Sequence, residues 1–161
     1  MAHTQSLLLL PRNGHSIPFV ELRQSLPSRV AVVSTFVGQL IRFILNFRKA
    51  DGSEIDIEMA LLEALANAVI HGNGENSGKP IYVTCRCYLD GEVAITVRDE
   101  GRGFDSSAVP DPTFKENLLL THGRGIYLMK TLMDEVLFEE GGAVVMMRKK
   151  SNASSAQQRK P

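Results

Sequence analysis

A glutamate, an asparagine and a histidine follow one another at four-residue intervals in the stretch Glu58 to Asn73, EMALLEALANAVIHGN. On a helix Glu63, Asn67 and His71 form one polar ridge, since residues four apart lie above one another. The same 100° period places Ile55, Met59, Leu62, Leu65, Ala66, Val69 and Ile70 on one broad apolar stripe beside that ridge. A solvated flank would more naturally carry Lys, Glu and Gln. An acid and an amide at the rim of a buried face predict instead the wall of a pocket. Two glycine-bearing segments further along extend this chemistry. Asp99-Glu-Gly-Arg-Gly-Phe-Asp105 leaves a strand through Gly101 and Gly103, and Gly123-Arg124-Gly125 opens a helix. Glycine before a helix lets backbone approach a ligand, and the unpaired N–H groups of the first turn favour an anion, so phosphate is the guest expected there. The Asp99 carboxylate can accept a hydrogen bond from the exocyclic amine of adenine. Guanine presents a carbonyl oxygen at that place, acceptor against acceptor, so ATP is preferred over GTP. Taken singly, Gly123 and Gly125 also admit a tight turn without ligand, and Asp99 reads equally as a strand terminator.

The elements that must position these residues follow from period and punctuation. Val20 and Leu22 alternate with Glu21 and Arg23, which predicts an edge strand over Ile17 to Gln24. Val30, Val33, Phe36, Val37, Leu40, Ile41 and Ile44 recur at three and four residues after a start signal at Ser25 to Ser28, giving a first helix to about Phe47. Ser53 with Asp56 resembles a capping box for the helix that carries the ridge. That helix ends at Gly72 to Gly78. Ile81 to Leu89 and Glu92 to Arg98 alternate around Asp90-Gly91, a two-residue hairpin signal. Residues 106–122 contain Pro110 and Pro112 and no sustained period, which in a compact domain points to a mobile lid. Ile126 to Met133 reads as a third helix, and Val136 to Phe138 with Val144 to Met147 as a last hairpin around Gly141-Gly142. The order predicts an α+β domain, a two-layer α/β sandwich whose mixed or mainly antiparallel sheet has helices on one face. Residues 1–15 are expected to be an extension, 16–150 one domain and 151–161 a disordered tail.

Composition narrows the class of function. Eighteen basic and eighteen acidic residues cancel, leaving no electrostatic footprint for nucleic acid or an anionic membrane and little self-repulsion against dimerisation. The run Leu7 to Leu10 is too short for a signal-peptide core, and no stretch approaches the roughly 18 apolar residues of a membrane span. A cytoplasmic protein is expected. Cys85 and Cys87 lack the further ligands of a metal site, and read as reduced, structural thiols.

Three segments together resemble the N, G1 and G2 boxes of the GHKL superfamily of ATP-binding proteins: Glu63-Ala-Leu-Ala-Asn67-Ala-Val, Asp99 to Asp105, and Gly123-Arg-Gly-Ile-Tyr-Leu-Met with Met133-Asp-Glu-Val136. The resemblance runs from about Glu58 to Lys149, and is nearest to the bacterial anti-sigma-factor serine kinases. It implies the Bergerat-type ATP-binding fold, with Asp99, Gly101, Gly103, Gly123, Arg124 and Gly125 around the nucleotide. Asn67 would hold Mg²⁺ bridged to the phosphates, and Glu63 would act as general base toward a serine hydroxyl. Arg124 first, or Lys115 or Arg102, would stabilise charge on the γ-phosphate. Thr121 and His122 either touch phosphate or make no contact, and His71 reads as a polar helix-end residue.

The implied partners are a sigma factor and an anti-sigma-factor antagonist, with a homodimer as the functional unit. One departure stands out. The threonine that family members usually carry in the last strand, near adenine, is replaced at the matching place by Val144, or by Ala143 if the gap moves by one. Two other functions compete: a detached catalytic domain of a histidine kinase, or a nucleotide-dependent binding module without transfer. Against the first, no dimerisation helix with a phosphoacceptor histidine precedes the domain, and Glu63 stands where such kinases typically carry asparagine.

Overall fold

Alternating and helical periods give the expected elements, and the computed structural model describes residues 18–103 and 124–152. In chain order they are β1 (Pro18–Pro27), α1 (Val30–Leu45), α2 (Ser53–Asn67) running into one π turn (Ala68–Gly72), β2 (Pro80–Tyr88), β3 (Val93–Arg98), α3 (Arg124–Leu132), β4 (Glu135–Glu139), a 3₁₀ turn (Glu140–Gly142) and β5 (Val144–Lys149). The strands form one sheet in the order β1-β2-β3-β5-β4. Every pairing among the described residues is antiparallel, in line with the expected mainly antiparallel sheet.

Register decides which side chains meet the helices. Val83, Cys85 and Cys87 pair with Val97, Ile95 and Val93, and these in turn with Val145, Met147 and Lys149. Their apolar members all join one core with Val37, Leu40 and Ile44 of α1, Leu61 and Leu65 of α2, and Met129 of α3. The cysteines are free and buried there. A hydrogen bond with Cys87, together with burial, pushes the Cys85 thiol well above its ordinary value, which suits a structural thiol. On the opposite face one row crosses all five strands as Glu21, Arg86, Ala94, Arg148 and Glu135. Arg86 pairs with Glu21 at 2.5 Å and Arg148 with Glu135 at 3.6 Å, so that face is polar.

Several local expectations are corrected. The buried arc of α2 is Ile57, Ala60, Leu61, Ala64 and Leu65, followed by Ala68 and Val69, while Ile55, Met59 and Ile70 are 60%, 42% and 44% exposed. The helix lies between α1 and α3, and its alanine row lets these neighbours approach closely; side-chain size alone points to the wrong arc. The N-cap of α2 is Gly52, in the left-handed region and without a side-chain cap bond, so Ser53 and Asp56 form no capping box; the side chains flanking it hold the turn instead. Asp51 Oδ1 accepts the Ser53 N–H at 3.1 Å, and Glu54 accepts the Gly52 N–H at 2.9 Å. Burial opposes the charge of Asp51. Hydrogen bonds from the Ser53 hydroxyl, the Arg48 guanidinium and the N–H groups of Asn152 and Ser53 outweigh it, holding the carboxyl well below the usual range. Asn152 N–H donates to Asp51 at 2.8 Å and Arg48 to Lys150 O at 3.0 Å, so the same cluster ties down the exit of β5. The N-cap of α1 is Arg29, one residue past the Ser25 to Ser28 start signal, and it makes no side-chain cap bond. The β2–β3 connection, Leu89 to Glu92, has four residues rather than two. Tyr88 N–H donates to Glu92 O, and Gly91 takes the positive φ of +84° that such a loop needs. The expected lid, extension and most of the tail lie outside the described residues.

Candidate nucleotide site

The site begins where α2 ends. Asn73 N–H donates to Ala68 O at 2.8 Å, a five-residue step that widens the last turn into a π turn. This brings Gly72 against the end of β3. A Cβ on Gly72 would stand 2.5 Å from Asp99 Oδ2, and one on Gly101 would overlap the Gly72 carbonyl. The two motifs therefore touch through backbone, an approach that only glycine permits.

Asp99 is 9% exposed. Its N–H continues the ladder to Ala143 O at 3.0 Å, and its Oδ1 accepts the Gly101 N–H at 2.8 Å. Burial pushes its carboxyl above the usual value, with Gly101, Lys79 and Arg98 pulling weakly the other way. Among the described residues no basic side chain forms an ion pair with it. It remains an acceptor at the edge of a pocket with about 470 Å³ of atom-free space, partly open to solvent. Ala64, Ala68, Val97, Met129, Phe138 and Val145 wall this pocket; Asn67, His71 and Asp99 are its polar side chains. An apolar slot with one convergent acid suits a flat heteroaromatic ring carrying an N–H donor.

The other end lies at the start of α3. A Cβ on Gly125 would stand 2.5 Å from Glu63 Oε2 and 3.6 Å from Asn67 Nδ2. The carboxylate and amide of the ridge thus face the first turn of α3, whose orphan N–H groups favour an anion. The structure brings Glu63 and Asn67 against Gly125, and Asp99 against Gly101. Gly103 lines the pocket, and a Cβ there would overlap Gly141 O. His71, read as a helix-end residue, lines the pocket as well. Of the two places for the missing threonine, Ala143 lines the pocket and stands opposite Asp99, whereas Val144 does not line it. Arg124 begins α3 and is exposed, as is Arg102. Gly123, Lys115, Thr121 and His122 lie outside the described residues. Asn73 is a buried polar residue directly after the π turn. Its only sequence signal is an amide following a helix-ending glycine.

The sequence model of the histidine kinase-like ATPase domain matches residues 24–149. The chain belongs to that family. This histidine kinase-like ATPase is 30% identical over 131 residues to the anti-sigma F factor of Priestia megaterium, covering 80% of the chain and 84% of the relative. It is 34% identical over 129 residues to the serine-protein kinase RsbW of Staphylococcus epidermidis, covering 73% and 77%. Its fold matches a crystal structure of the RsbU and RsbW domains of a Mycobacterium tuberculosis protein with a TM-score of 0.56 at 21% identity. That match covers 81% of this chain and 32% of the longer one. ATP binding is what the ATPase family implies, and the pocket fits it: an apolar slot ends at a buried acid, and a glycine-lined helix start faces the ridge. Mg²⁺ fits too. Asn67, on the pocket wall, offers one hard oxygen of the kind such an ion takes.

Proposed function

We propose that this chain is a Mg²⁺-dependent protein-serine kinase and anti-sigma factor, acting as a cytoplasmic homodimer. It transfers the γ-phosphoryl group of ATP to a serine of an anti-sigma-factor antagonist and, in its other state, binds a sigma factor. The observation that carries this reading is the meeting of Glu63, Asn67 and the first turn of α3 beside a pocket ending at Asp99. The named relatives support it, being anti-sigma F factors and RsbW kinases.

Asp99 accepts the adenine amine and orients the base against the wall formed by Val97 and Val145. The first turn of α3 and Arg124 face the phosphates and offset their charge. Asn67 would hold Mg²⁺, which supplies charge neutralisation on the phosphate oxygens when bound. Glu63, one turn before Asn67, takes the proton from the attacking serine hydroxyl. The neutral net charge of the chain leaves self-association unopposed, and no helix among the described residues is long and apolar enough to cross a membrane.

Incubation with γ-labelled ATP, Mg²⁺ and candidate antagonist proteins tests the reading. Serine labelling on the antagonist is expected. Self-labelling on histidine, or ATP binding without any transfer, would replace it with the histidine-kinase or binding-module alternative. Sedimentation at micromolar concentration tests the dimer.

A further inference from the structure

Next to Gly72 and Asp99 lies a buried polar network centred on Asn73. Asn73 is 4% exposed and Ser28 is fully buried. Asn73 Nδ2 donates to Ser28 Oγ at 2.7 Å, Pro80 O at 3.1 Å and Lys79 O at 3.3 Å, and Ser28 Oγ donates to Lys79 O at 2.7 Å. Asn73 Oδ1 accepts the Glu100 N–H at 2.8 Å. With nitrogen facing three acceptors and oxygen facing one donor, only one orientation of the amide satisfies the site. Glu100 follows Asp99, the last residue whose N–H the sheet engages. Its N–H is thus the first donor beyond the ladder, and Asn73 supplies the acceptor the sheet no longer provides. Lys79 Nζ donates to the Glu100 carbonyl at 3.3 Å, so both backbone groups of the residue linking Asp99 to Gly101 are held.

We infer that Asn73 is a positioning residue for the nucleotide: by fixing the Glu100 peptide it sets the Gly101 N–H against Asp99 Oδ1, and so the aim of the carboxylate into the pocket. The inference rests on the proposed ATP site. It separates recognition from transfer, since Asn73 touches neither Glu63 nor Asn67 through any bond of this network.

Titration calorimetry with Mg-ATP and steady-state kinetics on wild type, Asn73→Ala, Ser28→Ala and Asp99→Asn test it. Asn73→Ala is expected to raise Kd and KM about tenfold, with kcat at saturating ATP within about twofold of wild type. Ser28→Ala, which cuts the far side of the same network, lowers thermal stability and leaves Kd within about twofold. Equal Kd values for Asn73→Ala, Ser28→Ala and wild type would overturn the inference. Should Asn73→Ala fail to fold, hydrogen exchange on wild type decides. Exchange at the Glu100 amide as slow as in β3 and slower still with Mg-ATP supports it; exchange at the solvent-exposed rate overturns it. A wild type that does not bind ATP, or an Asp99→Asn variant that binds unchanged, sinks the site reading and this inference together. Binding lost in Asp99→Asn but unaltered in Asn73→Ala sinks the inference alone.

Discussion

The two ends of the site are built differently. At the base end, Asp99 is wedged between Gly72 and Gly101, its peptide neighbours are pinned by Asn73 and Lys79, and its surroundings are buried. At the phosphate end, Glu63 and Asn67 are only half-buried and meet α3 through one close approach at Gly125. A group that must recognise the same flat ring every time is best preorganised, because any rotation lost on binding weakens affinity. A group that takes a proton from a partner's serine has to remain reachable. Changes at the base end should therefore appear in Kd, and changes at the phosphate end in kcat.

The sharpest test of that division is Glu63→Ala. Transfer is expected to fall by about 10²- to 10⁴-fold, with ATP affinity nearly unchanged, as removal of a general base predicts. Equal losses in kcat and affinity would break the comparison. Gly125→Ala places a methyl 2.5 Å from Glu63 Oε2 and must displace the carboxylate. A small misplacement of a catalytic group costs up to about 10²-fold, so single-turnover kinetics should show a large fall in transfer while calorimetry shows a lesser change in affinity.

Asp99→Asn replaces an anionic acceptor with a neutral amide, and about ten- to hundredfold weaker ATP binding is expected, with kcat at saturation retained. The smallest effect is the pH response. Burial raises the Asp99 pKa, and the ligand's N–H needs the ionised form. Affinity should be flat at higher pH and decline as pH falls through the raised value, by at most about tenfold per unit. The same raised value means the folded, ligand-free chain holds that proton more tightly than the unfolded one, so rising pH removes a little of its stability while it improves binding. Asp51 works in the opposite sense. Its lowered value adds stability that is present above the ordinary carboxylate range and is lost only in strong acid. Between the ordinary carboxylate range and the raised Asp99 value, a binding scan should therefore rise with pH while the Asp99 contribution to a thermal-stability scan falls.

Much of this architecture is legible in the residues themselves. β2, β3, β4 and β5 follow from alternation, and the start of α3 from its glycines, since these are local properties. Glu63, Asn67 and Asp99 announce themselves by being the wrong types for their surroundings. Other features are hidden for a physical reason. The arc of α2 that turns inward depends on α1 and α3 arriving on either side, so Ile55 and Met59 are exposed while Ala60 and Ala64 are covered. The cluster around Asp51, ahead of α2, depends on Arg48 and on Asn152 at the far end of the chain. The parity that puts Ala143 rather than Val144 in the pocket depends on pairing with β3.

By itself, the order of residues determined the set of strands and helices and the chemical types available for a nucleotide, because periodicity and glycine's conformational freedom act over a few residues. Only tertiary structure decided that an amide at Asn73 would meet the peptide after Asp99. That contact joins residues far apart along the chain, and no local pattern encodes which donor will be left over where a sheet ends.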